Sequence, residues 1–147
     1  MTTTFRRTLA FAVFALASQA WAQMTPVGRW HNIDDETKEV KSEIVITDNG
    51  GVLTGRIEKL LRKGADQTRR CTECSDDRKD KPLIGLEIIR GAKKADGKEV
   101  WEGGQILDPE NGKSYTLRMT PIEGGKKLEV RGSIAFFGRT QTWVRVD

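Results

Sequence analysis

The residues best equipped for chemistry are two cysteines, Cys71 and Cys74, in the stretch RRCTECSDDRKDKPLIG (Arg69–Gly85). A spacing of two intervening residues allows a dithiol redox centre, half of a metal site or a covalent staple. A thioredoxin-like centre needs its first thiol at the start of a helix, where the thiolate is stabilised. Here SDDRKDKP follows Cys74, with no apolar helical stripe. Glu73, Asp76 and Asp77 disfavour a thiolate, while Arg69 and Arg70 favour one. Zinc takes four ligands, usually from two such pairs, whereas the chain has one pair and one histidine. Ser75 rather than histidine follows the second cysteine, so the c-type haem pattern is missing too. The expectation is no metal and no cofactor.

Other candidates have plainer readings. His31, the single histidine, follows Trp30 and by strand alternation points to the opposite face. Its expected role is a surface or interstrand hydrogen bond. DDE (Asp34–Glu36) and DPEN (Asp108–Asn111) are rich in carboxylates but lack the spacing of a calcium loop. They are expected to cap turns. No spacing sets two carboxylates across one cleft, as glycoside hydrolysis requires.

The compartment bears on the cysteines. Arg6 and Arg7 precede the short apolar run TLAFAVFALA (Thr8–Ala17), and AWA (Ala20–Ala22) follows. This is the pattern of an export signal cut before Gln23. The run is shorter than the ~18–20 residues that span a bilayer, and no cysteine stands at the cut to carry a lipid. The expected location is therefore periplasmic or secreted, where a local Cys71–Cys74 disulfide is the default. Residues 1–22 are the expected signal, and residues 23–147, 125 of the 147, form one domain with one core. Loss of Arg6 and Arg7 lowers the net charge from +4 to +2. Basic and acidic side chains are interleaved, with no basic run beside an aromatic platform, so nucleic-acid binding is unsupported.

What must position these residues is a set of short strands. Turn chemistry recurs at DNGG (Asp48–Gly51), ADGK (Ala95–Lys98), DPENGK (Asp108–Lys113) and EGGKK (Glu123–Lys127). Between the turns, apolar and polar residues alternate. SYTLRMT sends Tyr115, Leu117 and Met119 to one face, and LEVRGSI does so with Leu128, Val130 and Ile134. The pattern predicts strands near 28–33, 40–47, 52–61, 84–90, 98–107, 113–120, 127–134 and 138–146. Eight antiparallel strands leave two edges exposed unless the sheet closes into a barrel. A β-sandwich is the competing architecture. The long connection Arg62–Pro82 is expected to carry the disulfide as a clip on its turn, or to serve as a lid or partner surface.

VGRW (Val27–Trp30) in the first strand and GRTQTWVRV (Gly138–Val146) in the last resemble the calycin pattern of lipocalins and avidin-like barrels. The resemblance implies that Trp30 plugs one end and that Arg139 or Arg145 packs across it; the choice stays open. Five segments more specifically resemble a family of exported bacterial proteins, domain of unknown function 2147. They are PVGRWHNIDDET (Pro26–Thr37), GVLTGRIEKLL (Gly51–Leu61), CTECSDDRKDKPLIGLEII (Cys71–Ile89), GGQILDPENGKSYTLRM (Gly103–Met119) and LEVRGSIAFFGRTQTWVRV (Leu128–Val146). This resemblance implies an eight-stranded, up-and-down lipocalin-like β-barrel in the envelope or outside the cell, and no established reaction.

The expected function is non-enzymatic binding of a small apolar or amphiphilic ligand, lipid or fatty-acid-like, inside the barrel. Ile44, Ile46, Ile57, Tyr115, Leu117, Met119 and Trp143 are the expected lining. Alternatives are a filled barrel that docks an envelope protein through the Cys71–Cys74 loop, and a thiol-disulfide enzyme. Phe136 and Phe137 are expected to cap the core; the alternative is an exposed apolar rim. Oligomeric state is not legible.

Overall fold

The computed structural model describes residues 24–146, so the expected signal and its cut before Gln23 lie outside the described residues. Eight strands follow in order: β1 (Gly28–Ile33), β2 (Val40–Asn49), β3 (Val52–Leu60), β4 (Glu87–Lys94), β5 (Trp101–Asp108), β6 (Lys113–Ile122), β7 (Lys127–Ile134) and β8 (Phe137–Val146). Each pairs antiparallel with its neighbours in sequence, and β8 returns to β1, closing an up-and-down barrel. The barrel replaces the sandwich alternative.

The tight turns form where the sequence supplies positive φ. Between β2 and β3, Gly50 and Gly51 have φ of 67° and 91°, and Asp48 Oδ1 accepts the Gly51 N–H at 2.6 Å. This two-glycine turn matches the right-handed twist of its flanking strands. β4 and β5 each begin three residues later than the alternation predicts. Leu83–Leu86 is used in a turn, with Leu86 N–H donating to the Leu83 carbonyl at 3.0 Å. The β4–β5 turn likewise takes in Val100, whose carbonyl accepts the Ala95 N–H at 2.8 Å.

One end is plugged. Trp30 is fully buried, and its indole N–H donates to the Pro26 carbonyl at 2.7 Å. A buried tryptophan removes about 150–250 Å² from water, worth roughly 4–6 kcal/mol before entropy. Arg145, not Arg139, covers the ring at 4.1 Å. Its guanidinium also donates to the carbonyls of Gly125, Val27 and Thr25 at 2.6, 2.9 and 2.7 Å. The N-terminal segment, the β6–β7 turn and the last strand are thereby tied to one side chain.

Pairing is uneven around the wall. β1 meets β8 at Arg29–Val146, Trp30–Arg145 and His31–Val144. β3 meets β4 at Leu53–Ala92, Gly55–Ile89 and Arg56–Glu87, with register shifts between them.

Candidate functional site

By up-and-down topology, the β1–β2, β3–β4, β5–β6 and β7–β8 connections gather at the end opposite Trp30. A cavity of about 670 Å³ opens there. Its walls carry Ile44 and Ile57 from β2 and β3, Ile88, Ile106 and Leu107 from β4 and β5, and Val130 and Trp143 from β7 and β8. Four of the seven expected residues, Ile44, Ile57, Tyr115 and Trp143, therefore line it. Ile46, Leu117 and Met119 are buried on the same inward face but lie outside the cavity lining. Tyr115 is held by Asn111, which donates to its hydroxyl at 2.9 Å.

Three uncharged polar residues on the strand walls were not expected from the sequence: Asn32, Ser42 and Gln141. Asn32 Oδ1 is buried and has no hydrogen-bond partner among the described residues. Gln141 Oε1 accepts from the Trp143 indole at 3.4 Å. Polar residues on an inward strand position break the apolar alternation, and that break was the only signal available.

The rim is charged and largely self-neutralised. Arg62 pairs with Asp34 at 2.6 Å, Lys41 with Glu110 at 3.7 Å, and Arg139 with Asp35. The backbone N–H groups of Thr37 and Glu36, together with Arg62, hold the Asp34 carboxyl well below the usual carboxylate range. DDE thus caps its turn, with Asp34 Oδ1 accepting both N–H groups at 2.9 Å. Arg139 belongs to this rim, at the opposite end from Trp30.

Cys71 and Cys74 form a disulfide, with Cα atoms 5.4 Å apart, and both are buried. The long loop has two parts. Residues from Arg62 to Arg69 contribute to the cavity lining. The disulfide part is fastened to the wall instead. Arg78, 6 % exposed, donates to the Glu87 carbonyl at 2.9 Å and reaches Ser114 at 3.4 Å. Its own carboxylate partner is Asp76 at 2.5 Å. Asp77 takes both guanidinium branches of Arg90 at 3.0 and 2.9 Å. Gly112, with φ of 71°, lets the β5–β6 turn meet the disulfide turn; a Cβ there would collide with the Glu73 carbonyl.

His31 lies opposite Glu43 across the β1–β2 ladder, 3.6 Å from its carboxylate, on the face away from Trp30. Burial pushes the Glu43 carboxyl up, but Arg29 and Lys59 outweigh it and leave it lowered. His31 is not placed to act on a molecule in the cavity. Among the described residues, no cluster of three or more histidine, cysteine or acidic side chains is arranged for a metal ion, and no helix is long and apolar enough to cross a membrane.

At the β7–β8 tip, Phe136 is 100 % and Phe137 82 % exposed. The expectation that they cap the core is overturned. Only Ala135 and Phe136 link the strands, and the short tip leaves both rings largely in solvent. Phe137 joins Ile134 in the cavity lining, which makes the tip an apolar rim.

A family model described as "Uncharacterized protein conserved in bacteria (DUF2147)" matches residues 28–145. The chain belongs to this family. The match covers all eight strands up to Arg145, including the plug, the disulfide loop and the polar wall, so the family and the barrel coincide. A solved structure described as "Protein HP1028 from the human pathogen Helicobacter pylori belongs to the lipocalin family" is similar, with a TM-score of 0.70 and 17 % identity. The similarity covers 82 % of each chain, and at that identity it speaks to the fold of this family member alone. No curated protein matches the chain.

Proposed function

We propose that this family member is a non-enzymatic binding protein that holds a small apolar or amphiphilic molecule, lipid or fatty-acid-like, in the cell envelope or outside the cell. The observation that carries this reading is the one-ended cavity of about 670 Å³ with aliphatic and aromatic walls. Its size falls in the range of about 300–1,000 Å³ typical of ligand pockets. The plugged end supports a container rather than a channel. The lipocalin-like fold is consistent with this use, although fold alone does not assign it. Envelope location rests on the export pattern in residues 1–22.

The test is lipid extraction and native mass spectrometry of freshly purified protein, followed by titration with the neutral fluorophore N-phenyl-1-naphthylamine. Co-purified amphiphile, or saturable uptake abolished by Val130→Phe, is the expected result. Uptake that survives a filled cavity, or no binding at all, sinks the reading. Intact mass of the exported protein and cell fractionation check the cut before Gln23.

One observation favours a second reading, docking of an envelope protein: the exposed Phe136–Phe137 tip. It moves the candidate contact away from the Cys71–Cys74 loop, whose cysteines are buried. Crosslinking in intact cells that is lost in Phe136→Ser, with no ligand bound, would favour this alternative. A thiol-disulfide enzyme has the least support, because neither sulfur is presented to solvent.

A further inference from the structure

We propose that the cavity selects an uncharged amphiphile whose hydroxyl or amide group docks against Asn32, in preference to an ionised headgroup held at the rim. This rests on the cavity being a ligand site and names the class of ligand it takes.

The lining has two sides. β4, β5 and β7 contribute Ile88, Ile106, Leu107 and Val130, whereas the adjacent strands β8, β1 and β2 add Gln141, Asn32 and Ser42 beside Trp143 and Ile44. Asn32 and Ser42 are register partners, so the polar positions form a stripe rather than a scatter. Buried acceptors in folded proteins almost always have a donor, and Asn32 Oδ1 has none among the described residues. Trp143 occupies Gln141 Oε1, which leaves the Gln141 amide nitrogen as a donor. The stripe therefore offers the Asn32 oxygen as an acceptor, the amide N–H groups of Asn32 and Gln141 as donors, and a hydroxyl that is both.

A hydroxyl or amide donates and accepts, and so satisfies this set. A carboxylate only accepts; it can take the amide and hydroxyl donors but leaves Asn32 Oδ1 without one. The rim does not favour an anion strongly either. Arg62, Arg139 and Lys41 each have a carboxylate partner. Lys63 and Arg69 are the lining cations without an ion pair among the described residues, and both sit on the β3–β4 loop, with Asp66 beside Arg69.

The experiment displaces bound N-phenyl-1-naphthylamine from the exported protein with four chain-matched probes: hexadecanol, hexadecanamide, methyl hexadecanoate and ionised hexadecanoate. Hexadecanol and hexadecanamide should compete about tenfold better than the methyl ester, the scale of one buried hydrogen bond, and better than hexadecanoate. Asn32→Leu should erase that preference while the fluorophore still binds. Gln141→Leu gives the same reading if Asn32→Leu does not fold. The double variant Lys63→Ala/Arg69→Ala should keep the preference. Equal competition by all four probes, or a preference that survives Asn32→Leu and Gln141→Leu, overturns the assignment. So does hexadecanoate binding best and losing its advantage in Lys63→Ala/Arg69→Ala. If the fluorophore does not bind the unaltered protein, the cavity reading itself fails, which separates the two.

Discussion

The Arg145 guanidinium lies 4.1 Å over the Trp30 ring and joins the last strand to the first at the plugged end. A lysine there keeps the charge but cannot stack as a plane or serve three carbonyls in fixed directions. Arg145→Lys should cost about 2–4 kcal/mol from the lost ring contact and charged hydrogen bonds. Urea unfolding measures it. A loss below about 0.5 kcal/mol would show that the plug does not depend on the guanidinium.

Gly112 lets two turns touch. Gly112→Ala meets both a positive φ and the Glu73 carbonyl, so a loss of about 2 kcal/mol or more is expected. Hydrogen exchange should speed up at Cys71, Cys74 and Asp80 while β1 amides keep their protection. Unchanged exchange in the disulfide turn would contradict the contact.

Acid should release the loop clamp. Hydrogen bonds from the Arg78 side chain and backbone hold the Asp76 carboxyl down to about 2, against an ordinary 3.8. Its stabilising contribution is therefore complete above the ordinary value and lost as pH falls through about 2. Asp76 is 43 % exposed, so solvent screening keeps the effect modest. Asp76→Asn should weaken the loop at neutral pH and match the unaltered protein near pH 2. Superimposable acid profiles above that range would refute the clamp.

Phe136 and Phe137 bury almost nothing. Phe136→Ser with Phe137→Ser should leave stability within about 0.5 kcal/mol, yet slow fluorophore uptake several-fold if the tip is the portal. Stopped-flow uptake at an unchanged rate would remove the tip from the access route.

Most of the fold was legible because each strand states its inward face and each hairpin supplies its own turn chemistry. β4 misled because Ile88 and Ile89 are consecutive and both buried, where the β3–β4 register shifts. Alternation then no longer marks the strand start.

The site was less legible, since alternation gives the face but not the depth. Ile44 and Ile46 share a face, yet only Ile44 lines the cavity. Arg139 and Arg145 share their parity on β8, and only closure of the barrel decides which reaches Trp30. Asn32, Ser42 and Gln141 were passed over because a search for apolar lining ignores polar inward positions.

The two short ladders divide the wall into leaves. β1–β3 form one and β4–β8 the other, joined along β1–β8 and β3–β4 and tied across the mouth by Arg139–Asp35 and Lys41–Glu110, with the Arg145–Trp30 stack as the rivet at the foot of the first seam. If the wall opens, it should part along these seams, and the two ion pairs over the mouth are the bonds such an opening breaks. Amide exchange should run fastest along these seams near the mouth, and exchange no faster there than along β7 would show the wall to be one rigid piece.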